Sequence, residues 1–242
     1  MSEILKINDL WGGYKEGVDI LRGISMEVQQ GEAVGIIGLN GSGKSTFGKA
    51  IMNMIPIRRG QISFEGEDIT ALTTSQLSHR GISIMQQGGR VFQNLSVWDN
   101  LQLAMGSSRS SLITHHSSLQ EIIPLLQRPK KELQQLMADK LSGGQKHQLA
   151  LAMALAASPR LVILDEPSAG LSPKSVEEMY TMLHAVRETF GASIVLIEQN
   201  IAKAVEFCNR SLLLQQGSMS EEFVDNSLLN IEETMFNIGR NV

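Results

Sequence analysis

The sequence predicts an α/β fold with a parallel sheet at its core. Three almost continuously apolar runs, Ala33–Ile37, Leu161–Leu164 and Ser193–Ile197, are typical of strands that are buried on both faces. Helical patterns separate these runs along the chain, and strands that alternate with helices indicate a parallel sheet. The 242 residues are enough for one sizeable domain or two closely joined lobes, and we find no internal repeat.

The first part of the chain predicts strands on either side of one helix. The first 30 residues alternate between apolar and polar in the manner of short strands. A helix is expected from Lys44 to about Met54, after a glycine-rich turn. Gly60–Phe64 and Ile82–Met85 have the pattern of further strands.

The later part of the chain is expected to be more helical. Residues 92–140 are predicted to be mainly helical, interrupted by a serine-rich loop at 107–118. Ser172 followed by Pro173 is a typical helix start, with serine as the N-cap and proline in the first turn. Gly191 is expected to end that helix just before the third buried strand.

The composition excludes several classes of protein. The chain is 42% hydrophobic, which is too apolar for a disordered protein, and its single cysteine, Cys208, cannot form an internal disulfide. No apolar run reaches the roughly 18–20 residues that a membrane helix needs. The N-terminus lacks the charged start and apolar stretch of a secretory signal. We therefore expect a soluble intracellular protein.

The net charge of −4 is carried by the end of the chain. Residues 220–242 contain five acidic residues and one arginine, so residues 1–219 are neutral. We expect this last segment to be a solvated acidic C-terminal helix or tail. A mildly acidic chain also argues against a nucleic-acid partner.

A phosphate-binding pattern, GxxxxGK[ST], spans Gly38–Ser45, which we call the phosphate loop. It follows a predicted strand and opens a predicted helix, a context that favours phosphate binding over a glycine-rich turn that only caps a helix. Lys44 is expected to reach the β- and γ-phosphates of ATP, Ser45 to bind Mg²⁺, and Thr46 to contact the α-phosphate. The nucleotide-binding residues expected here are Gly38, Asn40, Gly41, Ser42, Gly43, Lys44, Ser45 and Thr46.

Two acidic residues, Asp165 and Glu166, follow the second buried strand. Ligands of open α/β sheets bind at the carboxyl ends of the strands, so these carboxylates are expected at the same edge as the phosphate loop. Asp165 is expected to hold Mg²⁺, and Glu166 to orient or deprotonate the attacking water. An isolated Asp-Glu pair would indicate two solvated acidic side chains at the start of a loop. Downstream of a phosphate loop, the catalytic interpretation is favoured.

The segment Leu141–Gln145, LSGGQ, begins a long Ala/Leu-rich helix, and we call it the signature. Ser142 and Gln145 have the spacing of a capping box. The two glycines between them leave bare backbone at a helix N-terminus, which is suited to bind an anion.

Together the phosphate loop, the signature and the LVILDEP strand end resemble the ATP-binding-cassette family of transporter ATPases. The resemblance implies a P-loop NTPase with a RecA-like parallel sheet core, an antiparallel β subdomain and an inserted α-helical subdomain. It implies one domain over 1–242. The core with its β subdomain would be 1–90 and 141–219, the helical subdomain 91–140, and the acidic C-terminal segment 220–242.

The resemblance also implies a dimer. In this family two such domains associate head to tail, with ATP held between the phosphate loop of one chain and the signature of the other. The residues that would complete the partner's site in trans are Ser142, Gly143, Gly144 and Gln145.

Two further positions match family residues. Tyr14 is placed like the aromatic residue that stacks on adenine, with nearby Trp11 as a rival. Gln87 is placed like the glutamine that senses Mg²⁺ and the catalytic water, and that links the site to the membrane partner. The neighbouring Gln86 leaves the register open by one residue, although the surrounding sequence favours Gln87.

Three departures from the family pattern stand out. Gln199 replaces the histidine that contacts the γ-phosphate and positions the catalytic water in most members. Ser172 stands where many members have aspartate, and it is expected to act only as a helix cap. The segment Lys146–Gln148 after the signature is expected only to tune the surface.

Three sequence segments, EPSAGLSP, IEQN and the GRVFQNLSVWDNL that follows Gln87, are similar to those of the ATPases of branched-chain amino acid uptake. Those systems pair a histidine-bearing chain with a glutamine-bearing one. The resemblance implies that this chain is the second kind, with slow hydrolysis at its own site because glutamine carries no charge near neutral pH.

We therefore expect an ATP-hydrolysing subunit that powers transport through separate permease subunits at the inner face of the membrane. The cargo is expected to be branched-chain amino acids or a related small polar solute, and the second ATPase chain a copy or a paralogue. DNA-repair and translation-associated ATPases of the family are the alternatives. The DNA-repair ATPases need a long coiled coil, and the stretch from Gln87 to Leu141 is too short to hold one. The translation-associated ATPases usually carry two such domains and basic surfaces, whereas this chain has one domain and residues 1–219 without net charge.

Overall fold

The computed structural model describes residues 2–106, 126 and 129–224. These residues fall into two compact units, one formed by the described parts of Met1–Gln76 and Ser193–Val242 and the other by those of Leu77–Ala192.

The first unit contains a four-stranded antiparallel sheet in the order β2-β1-β4-β5. Its strands are β1 (Glu3–Gly12), β2 (Leu21–Gln29), β4 (Ile57–Phe64) and β5 (Glu67–Asp68). The expected strands of the first 30 residues are thus confirmed. β4 begins earlier than its predicted start at Gly60, because Ile57 and Arg59 also pair with β1.

The same unit contains a second group of strands. β3 (Ala33–Ile37) runs parallel to both β8 (Ser193–Glu198) and β9 (Arg210–Gln215). All residues of β3 and β8 are buried, as the apolar runs predicted. The helices of this unit are α1 (Lys44–Ile51) and α7 (Ile201–Phe207), and the short α2 (Thr74–His79) follows β5.

α1 ends sooner than the predicted Met54, with Met52 as its C-cap. Asn53 adopts a left-handed backbone with φ of 50°. Its side-chain amide donates to the carbonyl oxygens of Ile69 and Leu72 at 2.7 and 2.8 Å. These tertiary hydrogen bonds favour a turn where the sequence alone favoured another helical turn.

The start of the acidic C-terminal segment forms a strand. β10 (Ser218–Val224) pairs antiparallel with β9, so the expectation of a helix or tail from residue 220 is wrong up to Val224. Glu222 pairs there with Arg210 across the two strands at 2.8 Å. Residues 225–242 lie outside the described residues.

The second unit contains β6 (Ile82–Met85), which runs parallel to β7 (Leu161–Asp165). Its helices are α3 (Val97–Ala104), α4 (Lys130–Gln135), α5 (Gly143–Leu155) and α6 (Pro173–Phe190), with a 3₁₀ turn at Ala138–Lys140. The helical character expected of 92–140 is confirmed where the chain is described, while the predicted loop at 107–118 lies outside that part.

The predicted limits of α6 are confirmed by its caps. The Ser172 side chain accepts from the backbone N–H of Ser175, Pro173 is the first helical residue, and Gly191 ends the helix with a left-handed backbone. Within the described part of the chain, every helix is too short or too polar to cross a membrane.

Candidate functional site

The phosphate loop joins the carboxyl end of β3 to the start of α1. Gly38 packs so closely that a Cβ there would lie 2.3 Å from the carbonyl oxygen of Leu214. Gly43, the N-cap of α1, has a φ of 108°, which favours glycine because it has no side chain to clash. The two glycines therefore bring the loop tightly around the helix start, the arrangement that binds phosphate.

Lys44 folds back over this loop. Its ammonium donates to the carbonyl oxygens of Gly38 and Leu39 at 2.9 and 3.0 Å, and the residue is only 4% exposed. Asn40 and Gly41 form the exposed tip of the loop. A buried cation at a helix N-terminus adds to the positive potential of the helix dipole, and both favour an anion.

The remaining hydroxyl residues of the loop lie at or next to the start of α1. Ser45 and Thr46 are in the first helical turn, and Thr46 is buried. Ser42 is buried as well, and its Oγ finds no hydrogen-bond partner among the described residues. Its carbonyl oxygen accepts the N–H of Gly217 at 2.9 Å, which ties the turn between β9 and β10 to the loop.

Gln199 follows β8, the strand that lies parallel to β3. In their register Ile37 pairs with Glu198, so both strands end at the same edge and Gln199 emerges beside the start of the phosphate loop. The Glu198 carboxylate accepts the backbone N–H groups of Gln199 and Asn200 at 3.0 and 3.3 Å. These bonds fix the direction of the chain as it leaves the strand.

The two rival aromatic residues have different surroundings. Tyr14 is 51% exposed, and Lys49 of α1 lies 5.7 Å from its ring centre. Trp11 lies within β1, where its Nε1 donates to Asp9 at 2.8 Å and Arg59 approaches its ring. Tyr14 is therefore the aromatic residue with an accessible ring beside the helix of the phosphate loop.

In the second unit, β6 and β7 present polar residues at their carboxyl ends. Asp165 ends β7, Glu166 follows it, and both are buried at 2% and 4% exposure. Gln87 comes shortly after β6 and donates from Nε2 to Oε2 of Glu166 at 2.5 Å. Of the two neighbouring glutamines, the one that reaches Glu166 is thus the residue that the sequence favoured.

The signature begins α5 as a capping box, as predicted. The Ser142 side chain accepts the N–H of Gln145 at 3.3 Å, and the Gln145 side chain accepts the N–H of Ser142 at 3.0 Å. Ser142 and Gly143 are exposed. A Cβ on Gly144 would meet Oγ of Ser175 at 2.8 Å, so glycine lets α5 pack against the start of α6.

His147 was expected on the surface, but it is buried at 7% exposure. Its Nδ1 lies 3.0 Å from the carbonyl oxygen of Gly143. A Cβ on Gly89 would lie 2.8 Å from the same ring nitrogen, so the loop after Gln87 rests directly on this imidazole. The only sequence signal was the four-residue spacing from Gly143, which places both residues on one face of α5.

Comparison with known proteins identifies the family. The sequence profile described as ABC transporter matches residues 21–169. The branched-chain amino acid transport ATP-binding protein BraG of Pseudomonas aeruginosa is 33% identical over 84% of this chain and 86% of its own. The lipopolysaccharide export ATP-binding protein LptB of Acidithiobacillus ferridurans is 30% identical over 95% of both chains.

A solved structure agrees with these relatives. CbiO1 of Clostridium perfringens, part of the transporter complex cbiONQ, superposes with a TM-score of 0.81 over 98% of this chain and 93% of its own, at 25% identity. The present chain thus has the expected P-loop ATPase fold with parallel and antiparallel sheets. The chain therefore belongs to the ABC transporter family, as an ATPase of that family.

Proposed function

We propose that this ATPase powers solute transport through separate membrane subunits. The observation that carries the proposal is the exposed, doubly capped start of α5 at Ser142–Gln145. A helix of this length whose first turn exposes bare glycine backbone can bind the phosphates of a nucleotide held by another chain. A P-loop kinase for small molecules has no use for such a second anion-binding helix.

The ATP itself is bound by the phosphate loop. The backbone N–H groups of Asn40, Gly41 and Gly43 surround the phosphates, together with the other loop residues named above, and Thr46 contacts the α-phosphate. Lys44 is already at the helix start and donates to the β- and γ-phosphates instead of to the carbonyls of its own loop. The open ring of Tyr14 stacks on adenine.

The expected metal ligands suit Mg²⁺. The Ser45 hydroxyl, the Asp165 carboxylate and the Gln87 amide oxygen are hard oxygen donors, which Mg²⁺ prefers. Asp165 is almost fully buried where β7 ends, at the carboxyl edge of the strands where ligands of such sheets bind. The ion would supply charge neutralisation on the phosphates.

Each of the proposed catalytic residues has its own role in hydrolysis. Glu166 accepts a proton from the water that attacks the γ-phosphorus, and Gln87 orients both Glu166 and that water by hydrogen bonds. Lys44 offsets the negative charge that develops on the phosphate oxygens. Gln199 donates a neutral hydrogen bond to the γ-phosphate, which stabilises less charge than a protonated histidine does.

The working assembly is a head-to-tail dimer of ATPase chains. Ser142, Gly143, Gly144 and Gln145 complete the ATP site of the partner, which is a second copy or a paralogue. The charge that glutamine cannot supply at this chain's site makes a paralogue with histidine the favoured partner.

The permease contact lies in the second unit. Phe92, Leu103 and Met137 are large apolar side chains that stay exposed there. The backbone N–H groups of Ala138 and Asp139 donate to the carbonyls of Leu95 and Gln93, which joins the segments that carry Phe92 and Met137. Exposed apolar side chains of this kind suit contact with a cytoplasmic helix of a membrane subunit, and the domain would act at the inner face of the membrane.

The cargo is branched-chain amino acids or a related small polar solute. The resemblance of the Glu166–Ser172 and Glu198–Asn200 segments to the branched-chain group supports this assignment, and so does the likeness to BraG. The likeness to LptB supports an export system as the second candidate.

Purification of the tagged chain from its own cells tests both assignments. We expect permease subunits and an ATPase partner to co-purify, and leucine uptake into vesicles bearing the complex to depend on ATP. Lys44→Ala should abolish ATP hydrolysis, while Lys174→Ala, exposed on α6, should not. Co-purification of coiled-coil or ribosomal proteins would exclude transport, and lipopolysaccharide-export subunits would exclude uptake.

A further inference from the structure

Arg58 on β4 holds the loop Gly13–Ile20, which joins β1 to β2 and carries Tyr14; we call it the Tyr14 loop. Its guanidinium donates to four acceptors there, the carbonyl oxygens of Gly13, Lys15 and Val18 and the carboxylate of Asp19. The bond to Val18 measures 3.0 Å and the bond to Gly13 measures 3.5 Å. The Arg58 side chain is 24% exposed, so these bonds are partly shielded from water.

Tyr14 lies between two of the residues that Arg58 binds. The same Nη2 atom donates to the carbonyl oxygens of Gly13 and Lys15, one on each side of Tyr14. The loop is narrow at this point, since a Cβ on Gly13 would lie 2.4 Å from the carbonyl oxygen of Val18. The backbone on both sides of the tyrosine is therefore fixed to one side chain.

Only an arginine can make this set of contacts. Its planar guanidinium offers five donors in fixed directions, whereas lysine offers one compact ammonium. Loss of the guanidinium would release two carbonyl oxygens around Tyr14 and free the loop to move. A stacking ring that is not held in place loses affinity, because ordering it on binding costs conformational entropy.

We propose that Arg58 is a positioning residue for adenine binding, acting through Tyr14. The inference rests on the proposed role of Tyr14 at the ATP site. Arg58 does not touch the phosphate-binding part of the chain through any of these bonds. We therefore expect its loss to weaken the contact with the base of the nucleotide.

The neighbouring Arg59 offers a matched control. It lies on the same strand but pairs with Asp9 at 2.6 Å, and its guanidinium lies 5.9 Å from the Trp11 ring. Its side chain is 69% exposed. Substitution of Arg59 removes the same charge from the adjacent position without releasing the Tyr14 loop.

The test compares two probes, Mg²⁺-ATP and Mg²⁺-tripolyphosphate, which lacks the base. We expect Arg58→Ala, Arg58→Lys and Tyr14→Ala each to raise the Kd for ATP about tenfold, the size of one lost stacking contact. The Kd for tripolyphosphate should stay within about twofold, since additivity between distant sites predicts no effect there. In ATPase assays KM should rise while kcat is unchanged, and Arg59→Ala should behave as the parent.

A double substitution separates positioning from general stability. In the Tyr14→Ala background, Arg58→Ala should cost less than about twofold, because the ring it positions is gone. The inference is wrong if Arg58→Ala weakens both probes equally, weakens ATP further after Tyr14→Ala, or leaves ATP affinity at the level of Arg59→Ala. A parent chain that binds neither probe would instead overturn the proposed function itself.

Discussion

The side-chain amide of Gln87 donates to the carboxylate of Glu166 at 2.5 Å. The two residues follow neighbouring parallel strands, with Met85 of β6 paired to Leu164 of β7, so the sheet itself brings them together. A donor on the carboxylate fixes its orientation and occupies one of its oxygens. Gln87 is therefore in contact with the proposed catalytic base and helps to fix its orientation.

Gln87→Ala should lower kcat by roughly tenfold or more, because Glu166 loses the donor that orients it. ATP affinity should fall less than kcat, since the phosphate loop holds the nucleotide and Gln87 would supply only one of the Mg²⁺ ligands. Steady-state ATPase assays on the assembled complex would measure both. Gln86→Ala is the control one residue away, and equal losses in the two variants would contradict the assigned register.

Glu166→Gln should reduce hydrolysis by about 10²–10⁴-fold, the usual contribution of a positioned base. The isosteric amide cannot accept the proton, so ATP should remain bound and hold the dimer closed. Light scattering with ATP should then report the dimer. Glu178→Gln, partly exposed on α6, should behave as the parent. Undiminished turnover in Glu166→Gln would remove Glu166 from this role.

Gln199→His should increase turnover of the assembled complex, because a histidine can carry positive charge near the γ-phosphate. The gain should persist when the partner's own site is inactivated. Equal rates in the variant and the parent, together with intact turnover after inactivation of the partner site, would show that Gln199 does not limit hydrolysis.

Gly89→Ala should destabilise the fold by about 2–4 kcal/mol, the sum of a left-handed alanine and a clash with the His147 ring. Gly88→Ala is the matched control, because its φ is also positive but no atom lies within 4 Å of the added Cβ. Urea unfolding should rank Gly88→Ala as the milder change. Equal losses of unfolding free energy in the two variants would mean that the His147 ring moves away from the added methyl group without an energetic cost.

Asp68, on β5 of the four-stranded sheet, should make the stability of the fold depend on pH in the acid range. Hydrogen bonds from the Thr70 side chain and backbone, and then from Gln61, hold the pKa of this carboxyl below its usual value. Because the pKa of Asp68 is lower in the folded state, its ionised carboxylate stabilises the fold at any pH above the pKa of the unfolded state, about 3.9. That stabilisation is lost as the pH falls from there through the pKa of the folded state. Asp68→Asn should therefore reduce the slope of the free energy of unfolding against pH between pH 6 and pH 2.5. The reduction should correspond to the uptake of about one proton at most on unfolding. An unchanged slope would contradict the assignment, and Glu67→Gln is the adjacent control.

The motifs and buried strands could be predicted because each depends on local sequence. Ser172 and Gly191 cap α6, and Ser142 with Gln145 caps α5, through side-chain and backbone preferences that act within a few residues. β3 and β8 were predictable because burial on both faces requires an unbroken apolar run.

The features that sequence did not reveal depend on distant partners. Asn53 ends α1 only because the carbonyls of Ile69 and Leu72 lie within its reach. β10 forms through pairing with β9, although its sequence is polar, and Arg210 on that partner strand binds Glu222 as well as Glu32. The burial of His147 follows from the close approach of Gly89, which no local pattern encodes.

Gly217 belongs to no nucleotide motif, yet it is a position where mutational tolerance should be low. Its N–H donates to Ser42 of the phosphate loop, its carbonyl accepts from Arg22, and an added Cβ would lie 1.9 Å from the carbonyl oxygen of Ile20. A deep mutational scan selected for growth should deplete substitutions at this turn as strongly as those in the loop. Engineers who insert tags or reporter domains should accordingly avoid the β9–β10 hairpin tip, however exposed a turn of this kind usually is.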